Sequence, residues 1–282
     1  MKRIATIGFF DGVHSGHRYL FDRLRTEADR RGLQALIITF DIHPRAVLQS
    51  DYVPQLLTTP EERQRLLSRF GEVRVLSFAQ VQPLTAAQFM QQLHDQYEVS
   101  VLLMGYDHQF GSDRLHRPQD YRLLGQQFGI EVLHSNQFTE GEWHVSSTEI
   151  RTALLTGNIA LANELLGRPY AISGTVVHGK AIGRTIGFPT ANIQPANPHK
   201  IIPHPGVYEV MVIGDRLEVR GFCNIATNGT IEVHIPDFKG DLYDRPLTVQ
   251  FLRFVREEKQ FDSLEDLRDA IKADVDNILH LA

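Results

Sequence analysis

The pattern of apolar residues changes near residue 167, and this change constrains the fold more than any single motif does. Before it, short apolar runs alternate with helical stretches, which is typical of a parallel sheet covered by helices. After it, runs of period two follow one another closely and are separated by Gly, Asn and Asp turns, which favours a small barrel. We therefore predict an α/β domain over residues 1–167 and a small β-barrel domain with a C-terminal helix over residues 168–282.

The individual elements follow from periodicity and from helix start and stop residues. Capping sequences predict helices beginning near Thr59 and Ser146, glycines at Gly71 and Gly157 are candidate helix ends, and Ser263 caps a last helix that reaches Leu281. A short helix is expected over 157–167. The predicted strands are Ile4–Phe10, Ala35–Phe40, Val73–Phe78, Val101–Gly105 and Ile130–His134, then Val207–Ile213, Leu217–Ile225, Thr230–Ile235 and Leu247–Phe254.

Composition and charge exclude several classes of protein. The 282 residues are 42% hydrophobic and 22% charged, which is ordinary for a globular protein. The formal net charge of -5 argues against a protein whose main function is to bind nucleic acid, and small anionic ligands are a better fit. No apolar run approaches the ~20 residues of a membrane-spanning helix, so no membrane role is expected. The single cysteine, Cys223, and the start at Met1 without a signal peptide predict a cytoplasmic protein.

The first candidate site is the segment Gly8–His17, where an apolar run breaks at Asp11 and Gly12 and a helix begins near His17. Backbone N–H groups and the positive end of the helix dipole favour an anion at such a junction, and imidazoles donate to phosphate oxygens. We interpret it as a phosphate-binding site. Zinc ligation by His14 and His17, or a purely structural pair of histidines, are the alternatives.

The second candidate site follows residue 174. The segment 174–181 nearly matches a P-loop, but Ala181 replaces the hydroxyl that would hold magnesium, and Gly183, Gly187 and a proline argue against the required helix. Thr190 and Asn192 offer hard oxygen ligands for Mg²⁺ and nucleotide phosphate, with a self-capping turn as the alternative.

Glu232 lies in an alternating strand, where it shares one face with His234. A carboxylate in that place is either simply solvated or, at the mouth of a barrel, able to accept a proton from an attacking hydroxyl.

These motifs, in this order, resemble the prokaryotic bifunctional riboflavin kinase/FAD synthetase family. In the first half the resemblance rests on Gly8–His17, Thr39–Asp41 with His43-Pro44, Gly105–Gly111 and Ser146–Arg151, which is the pattern of Rossmann-like nucleotidyltransferases. In the second half it rests on Gly179, Gly183-Arg184, Gly187–Asn192, Gly206–Tyr208, Glu232 with His234, and Arg256 with Glu258 and Phe261. The match extends over nearly the whole chain.

The resemblance implies a two-step transferase that phosphorylates riboflavin to FMN with ATP and then adenylylates FMN to FAD. It implies Glu232 as the base of the kinase, Thr190 and Asn192 as ligands of Mg²⁺, and His14 and His17 as the groups that stabilise charge during adenylyl transfer. It further implies that ATP or its phosphates contact Gly8, Phe9, Asp11, Gly12, Gly16, Asp107, Ser147, Thr148, Arg151, Gly179, Gly183, Arg184, Thr190 and Asn192, and that flavin contacts Arg256.

One departure from the family pattern leaves an alternative open. The usual Asn-Ile-Gly-x-x-Pro-Thr segment is Asn224–Thr230 here, and several residues that normally precede Glu232 are missing, so that an Asn228-Gly229 hairpin replaces a longer loop. The alternative is therefore an FAD synthetase whose kinase half is disabled. A third hypothesis is a flavin- or nucleotide-binding regulator without turnover.

Overall fold

The computed structural model describes residues 1–106, 108–113, 117–136, 138–140, 143–179, 182–185, 187–259, 261 and 263–279. The chain divides into two compact units, Met1–Ser147 and Thr148–Ala282. This division falls before residue 167, because helix α8 (Ile159–Leu166) packs on the strands of the second unit. The functional boundary after residue 167 stays a prediction. None of the helices in the described part of the chain is long and apolar enough to span a lipid bilayer.

The first unit is built on a parallel sheet, as the alternating pattern predicts. Among the described residues its five strands follow the order β3-β2-β1-β4-β5. The chain leaves β1 on one side and returns to β4 on the other, so the carboxyl ends of β1 and β4 flank the crevice where such sheets bind ligands. The strands are β1 (Arg3–Ile7), β2 (Gln34–Phe40), β3 (Glu72–Leu76), β4 (Val99–Met104) and β5 (Glu131–His134).

Helices cover both faces of this sheet. Neighbouring residues of β1 point to opposite faces, so that Ile4 packs with α1 residues such as Phe21, whereas Ala5 packs with α5 residues such as Phe89. The elements of this unit are α1 (Ser15–Arg31), α2 (Pro44–Leu48), α3 (Pro60–Leu67), α4 (Phe78–Val81), α5 (Ala86–Tyr97) and α6 (Pro118–Gln127), with a 3₁₀ turn at Asp11–Val13 and a hairpin of β6 (Thr139–Glu140) and β7 (Trp143–His144). Helix α7 (Ser147–Leu155) begins at the last residue of this unit, and its remaining residues belong to the second.

Helix α3 confirms one of the predicted signals and corrects another. Its capping box forms, because Thr59 Oγ1 accepts the N–H of Glu62 and the Glu62 carboxylate accepts the N–H of Thr59. The predicted end at Gly71 is wrong, since the helix stops at Leu67. Gly71 instead lets two strands approach, because a Cβ there would lie 2.8 Å from the carbonyl oxygen of Ala35.

The second unit is a closed antiparallel barrel, which confirms the prediction. Within the described residues its strand order is β10-β11-β12-β9-β8-β13. The strands are β8 (Tyr170–Val177), β9 (Thr190–Pro195), β10 (Gly206–Gly214), β11 (Leu217–Ile225), β12 (Ile231–His234) and β13 (Pro246–Arg256), joined by the single-turn helix α9 (Ile182–Thr185) and followed by α10 (Leu264–Leu279). Helix α8 is fastened to the barrel by Asn163, whose Nδ2 donates to the Phe251 carbonyl oxygen at 2.9 Å.

Three local predictions are settled by the barrel. Thr190 and Asn192 lie in β9 and pair with β12, so the self-capping turn is wrong. A one-turn helix forms at Ile182–Thr185 although glycines were expected to prevent it; a left-handed residue, Gly187 with φ +87°, follows it. The last helix begins as predicted, because Ser263 Oγ accepts the N–H of Asp266.

Candidate active sites

The loop between β1 and α1 is held in an unusual backbone conformation. Phe10 (φ 55°) and Val13 (φ 44°) are non-glycine residues in the left-handed region, and Gly12 between them has φ 80°. Each such non-glycine residue costs on the order of 1–3 kcal/mol and persists only where its surroundings fix it. Here the N–H of Gly8 donates to the Ile38 carbonyl oxygen at 3.0 Å, which ties the loop to β2.

The side chain of Asp11 anchors the loop between β1 and α1 to the segment before α3. Its carboxylate is 3% exposed and accepts the N–H groups of Leu57 and Thr58 at 3.0–3.1 Å, together with the Thr58 hydroxyl. Ser147 Oγ donates to the Asp11 carbonyl oxygen at 3.0 Å. Asp11 thus joins three segments of the first unit, through its side chain to residues 57 and 58 and through its carbonyl group to Ser147. A direct contact between Asp11 and phosphate stays a prediction.

His14 and His17 lie at the first turn of α1. His14 is the N-cap residue, and its Nδ1 accepts the backbone N–H of His17 at 3.3 Å. Because Nδ1 is the acceptor, the neutral His14 ring carries its proton on Nε2. The two rings stack, with centroids 3.6 Å apart and planes 19° from parallel. Two imidazoles are therefore placed together at the positive end of a helix, which is a site suited to an anion.

A cavity of about 310 Å³ opens beside these rings, and we call it the histidine pocket. Of the predicted site residues, His14, Gly16, His17 and Ser147 line it. Gly8, Phe9, Asp11 and Gly12 belong to the supporting loop, Thr148 and Arg151 follow Ser147 along α7, and Asp107 lies outside the described residues. Ser135 and Asn136 also line the pocket, but sequence reasoning did not identify them. Their position directly after strand β5 could have indicated that they lie at the edge of the sheet.

Arg63 on α3 is a second residue that sequence reasoning missed. It is 2% exposed, its guanidinium carbon lies 3.9 Å from the centroid of the Phe9 ring, and Nη2 donates to the Phe40 carbonyl oxygen at 2.6 Å. Burial lowers the pKa of Arg63, against the opposing effect of the Asp11 carboxylate. Arg63 therefore connects the ends of β1 and β2. Its polar neighbours in the sequence, Glu62 among them, gave no sign that it is buried.

Glu232 lies in the middle of three neighbouring barrel strands. Its Cα partners are Asn224 on β11 and Asn192 on β9, so the carboxylate is flanked by two amide side chains on one side of the sheet. Cys223, beside Asn224, is fully buried; burial raises the pKa of its thiol, and the charge of Glu232 raises it further. Cys223 therefore stays a protonated, apolar side chain of the barrel core.

Two cavities meet at Thr190. The Glu232 pocket, about 320 Å³, is lined by polar and charged residues and by several apolar ones; the polar and charged residues are Thr190, Asn224, Glu232, His234, Arg256, Glu258, Lys259 and Asp274, and Gly183 lines it as well. The Arg184 pocket, about 340 Å³, is lined by Arg184, Thr190, Asp241 and Tyr243 together with Gly240 and apolar residues. Thr190 lines both cavities, whereas Glu232 lines only the first of these two. Most of the predicted kinase residues thereby line one or both of these adjoining pockets, whereas Gly179 and Asn192 line neither of the two.

The glycines of the loop before β9 allow close approach. A Cβ on Gly179 would lie 2.2 Å from Nδ2 of Asn192, and a Cβ on Gly183 would lie 2.2 Å from the Phe188 carbonyl oxygen. Real Cβ atoms do not approach other heavy atoms so closely. Gly183 therefore requires glycine, because it faces backbone, whereas a side chain at Gly179 would displace the Asn192 amide. Lys180 and Ala181 between them lie outside the described residues.

His234 fixes the other end of that loop. Its Nδ1 lies 2.8 Å from the Pro189 carbonyl oxygen, to which it donates, and its ring meets Phe188 edge-on with centroids 5.4 Å apart. His234 is also the Cα partner of Thr190 across the β12–β9 ladder. It therefore holds the residues just before Thr190 against β12, a role that the sequence motif did not reveal.

Two family models match this chain, one to each part. The model described as FAD synthetase matches residues 1–149, and the model described as riboflavin kinase matches residues 166–282. Each match covers the part of the chain where the corresponding motifs stand.

Curated relatives match across both parts. Bifunctional riboflavin kinase/FMN adenylyltransferases from Escherichia coli K12 and Pseudomonas fluorescens are each 38% identical, and the match covers 96% of this chain and 90% of theirs. The Bacillus subtilis enzyme of the same name is 33% identical over 97% of this chain and 90% of its own.

A solved structure supports the fold assignment. A Streptococcus pneumoniae chain described as a macrolide-efflux protein has a TM-score of 0.88 and is 34% identical, and the superposition covers 98% of this chain and 93% of that one. Its description applies to that chain. With the two family models and the relatives, the two sites place this chain in the bifunctional riboflavin kinase/FMN adenylyltransferase family.

Proposed function

We propose that the chain makes FAD in two steps, riboflavin and ATP giving FMN and ADP, and FMN and a second ATP giving FAD and pyrophosphate. The observation that carries the proposal is the arrangement around Thr190, which lines both a pocket containing Glu232 and an adjoining pocket. A kinase needs such a pair of cavities, one for the hydroxyl acceptor and one for the phosphoryl donor.

In the kinase step, riboflavin occupies the Glu232 pocket and ATP occupies the Arg184 pocket. Glu232 accepts the proton of the ribityl 5′-hydroxyl while that oxygen bonds to the γ-phosphorus of ATP and the bond to the ADP oxygen breaks. Arg184 neutralises phosphate charge, and the loop containing Gly179 and Gly183 covers the nucleotide. Arg256 contacts the flavin.

The residues around Thr190 fit Mg²⁺. Thr190 supplies a hydroxyl and Asn192 an amide oxygen, and the carboxylate of Glu232 stands beside Asn192 on the neighbouring strand. Oxygen donors of this kind are those that Mg²⁺ prefers, usually together with substrate phosphates. A bound Mg²⁺ supplies neutralisation of the phosphate charge. Thr190 and Asn192 hold it, and the close approach of Gly179 to the Asn192 amide orients that side chain.

In the adenylyl step, a phosphate oxygen of FMN bonds to the α-phosphorus of ATP and the bond to pyrophosphate breaks. His14 and His17 donate to the phosphate oxygens as negative charge develops, assisted by the amino end of α1. Gly16 gives the phosphates access to the helix start, while Gly8, Phe9, Asp11 and Gly12 shape the loop. Ser147, Thr148 and Arg151 hold the β- and γ-phosphates, and Asp107 lies near the transferred adenylyl group, as the family resemblance implies.

The hairpin before Glu232 favours the bifunctional proposal over a disabled kinase. The shortened segment closes in five residues, 226–230: the N–H of Gly229 donates to the Ala226 carbonyl oxygen at 2.8 Å, and Gly229 adopts φ 82°. Pairing then resumes with Ile225 opposite Ile231. The shorter loop thus leaves Glu232 between its two asparagine neighbours. A regulator without turnover would not need that carboxylate.

Separation of flavins by chromatography tests the proposal. The protein is incubated with ATP and Mg²⁺ and either riboflavin or FMN. Because we propose a cytoplasmic location, the buffer has a neutral pH and a reducing agent. FAD from both flavins is the expected result. FAD from FMN alone would mean that the kinase is inactive, and no product from either flavin would support the binding regulator.

A further inference from the structure

An ion pair stands at the wall of the Glu232 pocket. Nε of Arg256, the last residue of β13, lies 3.1 Å from both carboxylate oxygens of Asp274, and its Nη2 lies 2.7 Å from Oδ2. Asp274 belongs to α10 and is 8% exposed. Three close contacts between one guanidinium edge and one carboxylate define the orientation of both groups.

The pair joins two walls of the same cavity. Arg256 and Asp274 both line the Glu232 pocket, as does Ile271, which precedes Asp274 by one helical turn. Phe261 of the intervening segment also lines it, and the Arg256 guanidinium carbon lies 6.0 Å from the Phe261 ring centroid. The strand wall and the helix wall of the pocket are therefore connected through charged groups that line the cavity itself.

Stability alone does not require charges there. A buried ion pair loses hydration that its attraction only partly restores, and well-packed apolar residues commonly serve as well or better. A guanidinium, by contrast, has five N–H donors in one plane. Asp274 occupies the Nε side and one N–H of Nη2, and Nη1 donates to the Glu257 carbonyl oxygen at 3.1 Å. Among the residues that the structure describes, one N–H on each terminal nitrogen lies outside these bonds.

We propose that Asp274 is a positioning residue for the riboflavin pocket. It holds the plane of Arg256 so that the remaining N–H groups meet the carbonyl oxygens of the flavin ring, and it holds α10 as the wall beside that ring. The proposal rests on the proposed kinase function. It assigns to α10, which carries none of the family motifs, a part in recognising the phosphoryl acceptor.

The first test is Asp274→Asn, which keeps the shape of the side chain and removes its charge. We expect the KM for riboflavin to rise about tenfold, equivalent to about 1.4 kcal/mol, while kcat, the KM for ATP and the formation of FAD from supplied FMN stay within about twofold. Asp269→Asn is the matched control, since Asp269 is exposed on the same helix. An unchanged riboflavin KM in the Asp274 variant would overturn the proposal.

A second variant distinguishes two roles of Asp274, orienting the Arg256 guanidinium and attaching α10 to β13. The exchange Arg256→Asp with Asp274→Arg restores an ion pair between β13 and α10 but moves the guanidinium to the helix. We expect urea unfolding to return toward that of the unsubstituted protein while the riboflavin KM stays raised. If the exchange restored both, Asp274 would be a structural tether and the proposal would fail. Absence of FMN formation by the unsubstituted protein would instead refute the kinase function itself.

Discussion

The two candidate sites are built from different groups, and we propose that the difference follows from their nucleophiles. The first unit offers a helix start and two stacked imidazoles, His14 and His17. The second offers a glycine-rich loop, oxygen ligands and a carboxylate, Glu232, with no helix longer than one turn at that loop in the described residues. FMN carries a phosphate whose second pKa is about 6, so it is an anion at neutral pH, whereas the hydroxyl of riboflavin is not.

The residues that line each cavity agree with this difference. In the described part of the histidine pocket, no aspartate or glutamate lines the cavity, and the lining is histidine, serine, asparagine and glycine with apolar residues. Three carboxylates line the Glu232 pocket, and that of Glu232 lies between two asparagines on the neighbouring strands. A site whose nucleophile is already anionic needs donors, and a site whose nucleophile is a hydroxyl needs a base.

The strongest test of this contrast is Glu232→Gln, which removes the base and keeps the shape. FMN formation should fall by about 10²–10⁴, the usual contribution of a general base, whereas conversion of supplied FMN to FAD should not change. Both rates are measured by flavin chromatography. Glu218→Gln, at an exposed position of the neighbouring strand β11, is the control. Retention of the riboflavin kinase rate would show that Glu232 is not the base.

His17→Ala should produce the reverse pattern. Loss of one donor to the developing charge is expected to lower FAD formation from FMN by about 10²–10³, with riboflavin phosphorylation intact. The control is His94→Ala, because the His94 side chain is 52% exposed on α5 of the same unit. A fall in both reactions, in a protein that unfolds normally in urea, would contradict separate sites.

Gly179→Ala tests the close approach in the kinase loop. The new Cβ would lie 2.2 Å from Nδ2 of Asn192, so either the Asn192 amide turns away from its present position or the loop moves away from β9. We expect the KM for ATP in FMN formation to rise by about tenfold, or about 1.4 kcal/mol, with the adenylyl rate unchanged. Gly32→Ala is the control for a glycine substitution outside both sites: space is open there and the cost is backbone strain. An unchanged KM would mean that the loop does not cover the nucleotide.

The smallest effect concerns acid stability of the first unit. Burial, and secondarily Arg122, lowers the pKa of His134 below its ordinary 6.5. On acidification the unfolded chain therefore takes up the proton first, so stability is complete above about pH 6.5 and decreases below it. The loss should be on the order of 1 kcal/mol, because a single imidazole is involved and burial of its ring nitrogens is the main cause.

Urea unfolding at pH 7.5 and pH 5.5, followed by fluorescence of Trp143 in the first unit, measures this loss. His134→Gln should reduce the difference between the two pH values, and His94→Gln should leave it unchanged. An equal pH dependence in the His134 variant would assign the acid sensitivity to other groups.

Much of the architecture could be predicted from local patterns. Apolar runs marked every strand of the parallel sheet, although Ile4–Phe10 contracts to Arg3–Ile7, because the loop that follows is equally apolar. The pairing of residues far apart in sequence was beyond prediction. Arg63 stands in a charged helix and yet is buried over Phe9, and the hydrogen bond of His234 to Pro189 depends on strand β9, which was not predicted as such.

Unlike Arg63 and His234, Asp274 has a position in the sequence that could have indicated its role. It stands three residues after Ile271, beside the apolar face that predicts α10, so an acid there required a partner. The partner, Arg256, could not be identified, because the strand-to-helix contact is set by how α10 packs against the barrel.

Mixing two single-site variants tests most directly whether two independent sites share only diffusing FMN. The His17→Ala and Glu232→Gln proteins are combined with riboflavin, ATP and Mg²⁺, and flavins are followed over time. We predict that FAD appears after a lag in the mixture and in neither protein alone. No FAD in the mixture, although each variant still performs its remaining step, would contradict the account.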